Sequence, residues 1–347
     1  MKLTLFHAGD GDCLLLTSKG KKPKRVLVDG GRSGSFEEHT RPALAALQAA
    51  GQALDVVYVS HIDDDHITGV LRLVEDIVAW RAHEFAQTLD PHAKPPKFPV
   101  PPEIGEVWHN GLFVLVGDDL APQVQEVLAT TATLLAGSAD ERIRSLASEL
   151  ADLATGEKAS MELSRRLSPE HLGIPLNPRT DGLLMQRAGS GATLPGEVMK
   201  VGPMKFSLLG PSEDDLTKLR DKWRSWIKGH KADLKKLQAA ILADEQRFGT
   251  LSPAFVVNPI ATDLGDGLKQ VTEANLASLM FLVEEGGQRV LLTGDGVSSE
   301  IVEGLARHKK LDAHGRIHVD VLKVQHHGAE ANVTDEFVEA VTADHYV

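Results

Sequence analysis

The chain has 347 residues, 42% hydrophobic side chains and a formal net charge of −12, so a large buried core is expected and a DNA-coating surface is not. No apolar run of about 18 residues predicts a membrane span, and the first residues lack a signal-peptide pattern. The single cysteine, Cys13, fits a reducing compartment. We therefore expect a cytoplasmic protein without membrane contact.

The first predicted strands place two aspartates at turns. Residues 2–7, 13–17 and 25–29 have strand-like patterns, with Asp12 in the glycine-rich turn after the first strand and Asp29 ending the third. If these strands pair in sequence order, both carboxylates lie at one side of the sheet. We predict that they orient metal-binding side chains, and ordinary turn aspartates are the alternative. Thr40 is expected to cap a following helix that ends near Ala50.

Residues 60–66 (SHIDDDH) are the most informative stretch. They follow the apolar run 55–59, a predicted buried strand, and precede residues 67–80, whose apolar side chains recur at helical spacing. Two imidazoles and three carboxylates in seven residues cost free energy unless cations neutralise them. The stretch therefore predicts a metal site between a strand and a helix; a solvated acidic turn is the alternative.

The middle of the chain gives weaker signals. We predict that residues 112–198 and 212–270 are mainly helical insertions, separated by strand-like sequence over residues 198–209. The second insertion contains the best candidate for nucleic-acid contact, because cations track phosphates and bases stack on aromatic rings. The candidate residues are Lys222, Trp223, Arg224 and Lys228. A solvated helix with its tryptophans packed inward is the alternative, and we favour it slightly.

The C-terminal part returns to metal-binding residue types. One predicted strand ends in Thr293-Gly294-Asp295, and another, residues 318–324, ends in Gln325-His326-His327-Gly328. The glycines beside Asp295 allow the backbone to bend. Three separate strands that end in metal-binding residue types are difficult to ascribe to chance.

These motifs together resemble the metallo-β-lactamase superfamily, most closely its ComEC/Rec2-type branch. The resemblance rests on residues 9–13 (GDGDC), 28–31 (VDGG), 61–66 (HIDDDH), 293–295 (TGD) and 322–328 (LKVQHHG). It implies one α+β domain over residues 1–347, an αββα four-layer sandwich with two divalent metal ions, Zn²⁺ or Mn²⁺, at one edge.

The resemblance also implies a role for each matching residue. One ion would bind His61 and Asp63, the other Asp65 and His66, and Asp295 would bridge the two. His326 matches a further ligand position, which leaves His327 to orient groups or face the substrate. The residues implied in the reaction are Asp65, Asp295 and His327.

Asp63 stands where the commonest superfamily motif has a second histidine. The carboxylate oxygen is a harder donor than an imidazole nitrogen, so Mn²⁺ is as credible as Zn²⁺ at this site.

The expected function is that of a dinuclear metal-dependent phosphodiesterase or nuclease that uses a metal-bridging hydroxide on DNA or RNA. One alternative is hydrolysis of a small phosphodiester, lactone or β-lactam-like substrate. Another is a non-catalytic, metal-stabilised sensing or interaction domain. The branch pattern continues past Val347, so the chain looks truncated at its C-terminus, and we expect a part of a larger protein or multi-component system.

Overall fold

Two mixed β-sheets lie at the centre of the molecule, with helices on their outer faces. The computed structural model describes residues 1–111, 121–135, 141–180, 182–186, 197–226, 228–230, 277–329 and 332–347. Everything stated below concerns these residues.

The first sheet has five strands in the order β1-β2-β3-β4-β5. Their bounds are β1 (Lys2–Leu5), β2 (Leu14–Thr17), β3 (Arg25–Val28), β4 (Leu54–Tyr58) and β5 (Ile104–Trp108). The first three strands pair antiparallel, while β3, β4 and β5 run parallel. The carboxyl ends of β3 and β4 therefore meet at one edge of the sheet.

The second sheet has six strands in the order β11-β10-β9-β8-β7-β6. Their bounds are β6 (Val198–Val201), β7 (Met204–Gly210), β8 (Met280–Glu285), β9 (Gln288–Leu292), β10 (Ile317–Leu322) and β11 (Val341–Tyr346). Strands β9, β10 and β11 run parallel, and the other pairs are antiparallel. This sheet thus also places two neighbouring carboxyl ends, those of β9 and β10, side by side.

The helices pack on both outer faces. Their bounds are α1 (Arg41–Ala49), α2 (Asp64–Leu89), α3 (Ala121–Leu135), α4 (Glu141–Leu167), α5 (213–226), α6 (Ser298–Arg307) and α7 (Asp335–Ala340). Short helical segments, Ser33–Ser35 with Phe36–Thr40 and Gln325–Gly328, precede α1 and follow β10. Within the described ranges, no helix is both long and apolar enough to cross a bilayer.

Three apolar clusters correspond to the three interfaces of a four-layer sandwich. The central cluster joins the inner faces of both sheets, with Tyr58, Trp108, Phe206 and Phe281 as its aromatic members. A second cluster packs the outer face of the first sheet against α1, α2 and α4. A third packs the second sheet against α6 and α7. The predicted α+β fold with two face-to-face sheets is confirmed.

The strand-like stretch 198–209 folds as the hairpin of β6 and β7, in which Gly202 turns the chain with a φ of +59° before Pro203. One local expectation is wrong. Thr40 does not cap α1: its backbone is already helical and its hydroxyl lies 3.5 Å from the Cys13 Sγ atom.

The proposed insertions fall partly outside the described residues. Helices α3 and α4 lie within 112–198, and α5 begins within 212–270, while residues 231–276 lie outside the described ranges. The insertion boundaries therefore stay predictions.

Candidate metal centre

Ligand-type residues from both sheets meet at one edge of the sandwich. Asp29 follows β3, Ser60 and His61 follow β4, and Asp295 follows β9. The sheets are joined at this edge, because the Leu279 amide donates to the Ser60 carbonyl at 2.7 Å. Side chains far apart in the sequence are thereby brought to one point.

Glycines allow the first turn of α2 to approach the Asp29 turn. The Gly30 amide donates to the His66 carbonyl and the Gly69 amide to the Gly31 carbonyl, both at 2.9 Å. A Cβ atom on Gly69 would lie 2.0 Å from the Gly30 carbonyl oxygen, so this position leaves no room for any other residue. The approach brings His66 next to Asp29.

Asp29 orients the two imidazoles through a buried network. Its carboxylate accepts hydrogen bonds from the Ser60 amide and the Ser60 hydroxyl, both at 2.7 Å, and from His66 Nδ1 at 3.1 Å. The Ser60 hydroxyl, having donated to Asp29, accepts from His61 Nδ1 at 3.0 Å. Both imidazoles therefore hold a proton on Nδ1 and direct the lone pair of Nε2 into the site. This arrangement supports the predicted orienting role of Asp29.

The two Nε2 atoms face opposite oxygens of Asp295. His61 Nε2 lies 3.6 Å from Asp295 Oδ2 and 3.4 Å from Asp63 Oδ2. His66 Nε2 lies 3.5 Å from Asp295 Oδ1 and 3.6 Å from Asp65 Oδ2. Both nitrogens are buried and have no hydrogen-bond partner among the described residues.

These distances fit divalent metal ions. Two donors of one tetrahedral ion, each bound at about 2.0–2.2 Å, lie about 3.3–3.6 Å apart. The observed separations fall in that range, and an orphaned, buried imidazole nitrogen has lost its water without gaining a partner. The residues present thus suit one ion beside His61 and Asp63 and a second beside Asp65 and His66, with Asp295 between them.

The backbone is strained at His326 and His327, whose side chains both lie at the site. Both have left-handed backbone angles, with φ of 46° and 52°, which non-glycine residues adopt at a cost and mainly where function demands it. His326 Nδ1 donates to Asn332 Oδ1 at 2.8 Å, and its Nε2 lies 3.9 Å from Asp295 Oδ2. His327 Nε2 lies 3.2 Å from Asp65 Oδ2 and 3.8 Å from Asp295 Oδ2. Since the Asn332 hydrogen bond leaves Nε2 of His326 unprotonated, the geometry favours His326 as the ligand of the two.

Asp12 lies close to the site but on its far side. Donor atoms of Asp12, His66, Asp295 and His327 all lie within 4.8 Å of one another. However, Asp12 faces the Nδ1 atoms of His66 and His327, at 3.7 and 4.0 Å, whereas Asp65 and Asp295 face their Nε2 atoms. The Asp12 carboxylate thus lies on the Nδ1 side of the imidazoles, and its orienting role stays a prediction.

The charges of the site shift the pKa values of its members. Burial disfavours an imidazolium, but the carboxylates of Asp295 and Asp63 outweigh it and raise the pKa of His61 to about 10. Burial likewise disfavours carboxylate ions, yet His327 and His66 lower the pKa of Asp65 to about 2. The pKa of Asp295 is lowered against burial by His61, His66 and Lys323. Without metal the site thus attracts protons, and divalent cations would replace them.

The candidate nucleic-acid contact is only partly available. Trp223 and Trp226 are 3% and 7% exposed and pack edge to face with ring centroids 6.4 Å apart. Trp223 therefore cannot stack on a base, and this part of the interpretation is corrected: the inward packing that we favoured is present. Lys222, Arg224 and Lys228 are exposed.

Sequence reasoning missed two polar residues of the site, Lys323 and Asn332. Lys323 is 3% exposed, and its ammonium group lies among Asp12, Asp295 and the Gly294 carbonyl oxygen. A lysine between the apolar residues Leu322 and Val324 was an available signal, since buried lysines need partners. Asn332, which binds His326 and donates to the Asp295 carbonyl at 3.2 Å, had no such signal.

Comparison with known proteins agrees with this architecture. Residues 8–138 match the model of the metallo-beta-lactamase superfamily, whose members are generally metal-dependent hydrolases. No curated protein matches the chain. The matched segment contains Asp12, Asp29 and the 61–66 motif, so it covers the first sheet's share of the candidate centre. The family match over residues 8–138 and the two mixed sheets with helices outside are both consistent with a metallo-beta-lactamase-like sandwich.

Proposed function

We propose that the protein is a dinuclear metal-dependent hydrolase of phosphodiesters. The observation that carries this proposal is the pair of buried, orphaned Nε2 atoms of His61 and His66, which converge on the two oxygens of Asp295. Two divalent ions bound there would activate a water molecule and neutralise charge on a phosphoryl group.

The ligand set supports a phosphodiester as the substrate class. Three carboxylates, those of Asp63, Asp65 and Asp295, face the two Nε2 atoms and equal the candidate imidazole ligands in number. Oxygen donors suit harder ions such as Mn²⁺, and hard ions suit anionic phosphoryl oxygens. We therefore include in the proposal that the site binds two ions and that these are hard ions such as Mn²⁺.

Side chains of the protein would orient the reacting groups and protonate the leaving oxygen. Asp295 holds His61 and His66 at opposite oxygens, which fixes the spacing of the reacting groups. The Asp65 contact raises the pKa of His327, whose imidazole is partly exposed. His327 can therefore hold a proton and donate it to the leaving oxygen, while Asp65 fixes the direction of the ring.

The first test pairs metal content with activity. We expect about two equivalents of divalent metal by elemental analysis and hydrolysis of bis-(p-nitrophenyl) phosphate with Mn²⁺ or Zn²⁺. Asp295→Asn should lower both metal content and activity, by at least about 100-fold for activity, because one shared ligand is lost. The matched control is Asp344→Asn, an exposed aspartate on β11 that should leave both unchanged. Absence of metal, or activity that survives in Asp295→Asn, would contradict the proposal.

Nucleic acid is a second candidate substrate within the same chemistry. The observation that favours it is the set of exposed cations Lys222, Arg224 and Lys228 near one end of α5. Such cations would contact phosphates rather than bases, so binding would be independent of sequence and sensitive to salt.

A double substitution separates this candidate from a small phosphodiester. If DNA or RNA is the substrate, Lys222→Gln with Arg224→Gln should weaken cleavage of labelled DNA or RNA and reduce its salt dependence. Hydrolysis of the small ester should not change. The control is Lys94→Gln with Lys97→Gln, two exposed lysines in the loop before β5. An equal loss in both double variants would reject α5 as the nucleic-acid surface.

A further inference from the structure

Lys323 is the one lysine whose ammonium group the structure places inside the described part of the candidate metal centre. It follows β10, and its Nζ atom lies 2.5 Å from Asp12 Oδ2, 3.4 Å from Asp295 Oδ1 and 2.9 Å from the Gly294 carbonyl oxygen. The ammonium group donates hydrogen bonds to the Gly294 carbonyl oxygen and to Asp295 Oδ1, and it forms an ion pair with Asp12 Oδ2. Because these partners come from both sheets, the lysine is fixed in position.

The lysine and the Nε2 atoms lie on different sides of the site. Asp12 Oδ2 contacts Lys323 and faces Nδ1 of His66, while Nε2 of His66 faces Asp65 and Asp295. On Asp295, Oδ1 is shared between Lys323 and His66, whereas Oδ2 faces His61 and both C-terminal histidines. A fixed positive charge thus occupies the Asp12 side of the centre.

We propose that Lys323 is a positioning residue, a built-in cation that keeps Asp12 out of the metal coordination sphere and directs Asp295 at the metal ions. It rests on the proposed dinuclear function and adds a role for a residue that binds neither metal nor substrate. In the absence of the ammonium group, Asp12 would be an uncompensated buried carboxylate beside two divalent ions, and it would turn towards them.

The balance of charge supports this role. The centre holds five carboxylates with no arginine partner: Asp12, Asp29, Asp63, Asp65 and Asp295. Two divalent ions would supply four positive charges against these five negative ones, and the ammonium group of Lys323 supplies one more. The neighbouring Asp10, Asp64 and Asp152 form their ion pairs with Arg32 instead.

The test uses Co²⁺ as the metal probe, because its visible absorption reports coordination number independently of activity. Lys323→Met removes the charge while keeping an unbranched side chain. We expect weaker absorption per Co²⁺, since Asp12 adds a ligand, and about tenfold tighter Co²⁺ binding in competition with a chelator. Lys323→Arg, which keeps the charge, should retain more of the wild-type spectrum.

Two further variants keep the test decisive if Lys323→Met folds poorly. Asp12→Asn alone should keep the coordination number of bound Co²⁺, and thus the absorption per Co²⁺, because no metal ligand is lost in our proposal, even if the band positions shift slightly. Asp12→Asn combined with Lys323→Met should restore that absorption, because the carboxylate that would move is gone.

Three results would overturn the inference. They are an unchanged spectrum in Lys323→Met, an altered absorption per Co²⁺ in Asp12→Asn, or no restoration in the double variant. Failure of the proposed function looks different, because the wild-type protein would then take up no Co²⁺, or would bind metal without hydrolysing bis-(p-nitrophenyl) phosphate.

Discussion

Single side chains in this molecule are charged or neutral according to their neighbours. Asp295 is buried, yet its pKa is lowered because three imidazoles and the ammonium group of Lys323 surround it. Glu300, on the first turn of α6, lacks such partners: burial and the nearby Asp215 and Glu303 raise its pKa to about 8, and Lys218 opposes them only in part. Its Oε2 atom has no hydrogen-bond partner among the described residues. Glu300 therefore folds in its protonated form at neutral pH.

Glu300→Gln should make the protein more stable at alkaline pH. The folded-state pKa of about 8 exceeds the ordinary value of 4.5, so the folded chain binds more protons than the unfolded chain between these values. Stability is thus unaffected by this group below about pH 4.5 and falls as pH rises towards 8. Because Glu300 is partly exposed, we expect the variant to gain only about 1–2 kcal/mol at pH 8.5 and almost nothing at pH 5.

Chemical unfolding at both pH values measures this difference. Glu339→Gln, an exposed glutamate on α7, is the matched control and should change stability equally little at either pH. A gain at pH 8.5 that is no larger than the gain at pH 5 would show that Glu300 ionises normally.

Helix α4 packs directly against the loop that contains His61 and Asp63. A Cβ atom on Gly156 would lie 1.9 Å from the Ile62 carbonyl oxygen, so the helix backbone rests on the loop between β4 and α2. The buried Ser160, one turn later, lies 3.0 Å from His109 Nε2, and this contact joins α4 to the end of β5. Helix α4 therefore supports His61 and Asp63 although it supplies none of the candidate ligands.

Gly156→Ala should impair the metal centre from outside it. The added methyl group must displace either α4 or the Ile62 backbone, at a cost of about 1–3 kcal/mol in the free energy of unfolding. We expect Zn²⁺ affinity, measured by competition with a chelator, to fall by at least about tenfold, because His61 and Asp63 move with that backbone. Gly34→Ala is the control, since a Cβ atom there meets no atom within 4 Å. Unchanged Zn²⁺ affinity in Gly156→Ala would show that the loop holds its shape without α4.

The sequence predicts these elements unevenly. The 61–66 motif was recognisable because a strand pattern changes to a helix pattern around it, and local spacing carries that information. The contact between Gly156 and Ile62 could not be recognised, because it joins α4 to a loop far away in the sequence and leaves no periodic pattern. For Trp223, three-residue spacing to Trp226 fits both an inward and an outward face, so only the packed structure decides.

At the scale of the whole molecule, the candidate metal centre lies where the two sheets meet. The first sheet contributes His61, Asp63, Asp65 and His66, and the second contributes Asp295, His326, His327 and Lys323. The sandwich itself was predictable, because motifs at strand ends occur in family order along the chain. The pairing of Lys323 with Asp12 could not be predicted from the sequence, since it depends on how one sheet packs on the other.

Removal of metal should lower the melting temperature of the whole sandwich. Without metal, five buried or partly buried carboxylates repel one another across the interface between the sheets. An ion whose free concentration is 100 times its dissociation constant stabilises the folded state by about 2.7 kcal/mol. For a chain of this size this corresponds to a rise of a few degrees in melting temperature per ion. We therefore expect scanning calorimetry to show a loss of several degrees after dialysis against a chelator, reversed by added Zn²⁺ or Mn²⁺.

Two variants separate metal loss from other effects of the chelator. Asp295→Asn, which lacks the shared carboxylate, should show little further loss after dialysis, whereas Asp344→Asn should lose as much as the wild type. A chelator-induced shift of equal size in all three proteins would place the stabilising ion elsewhere. If the shift is largest in wild type and absent in Asp295→Asn, the ions act at the junction of the sheets, because that carboxylate contacts imidazoles from both sheets.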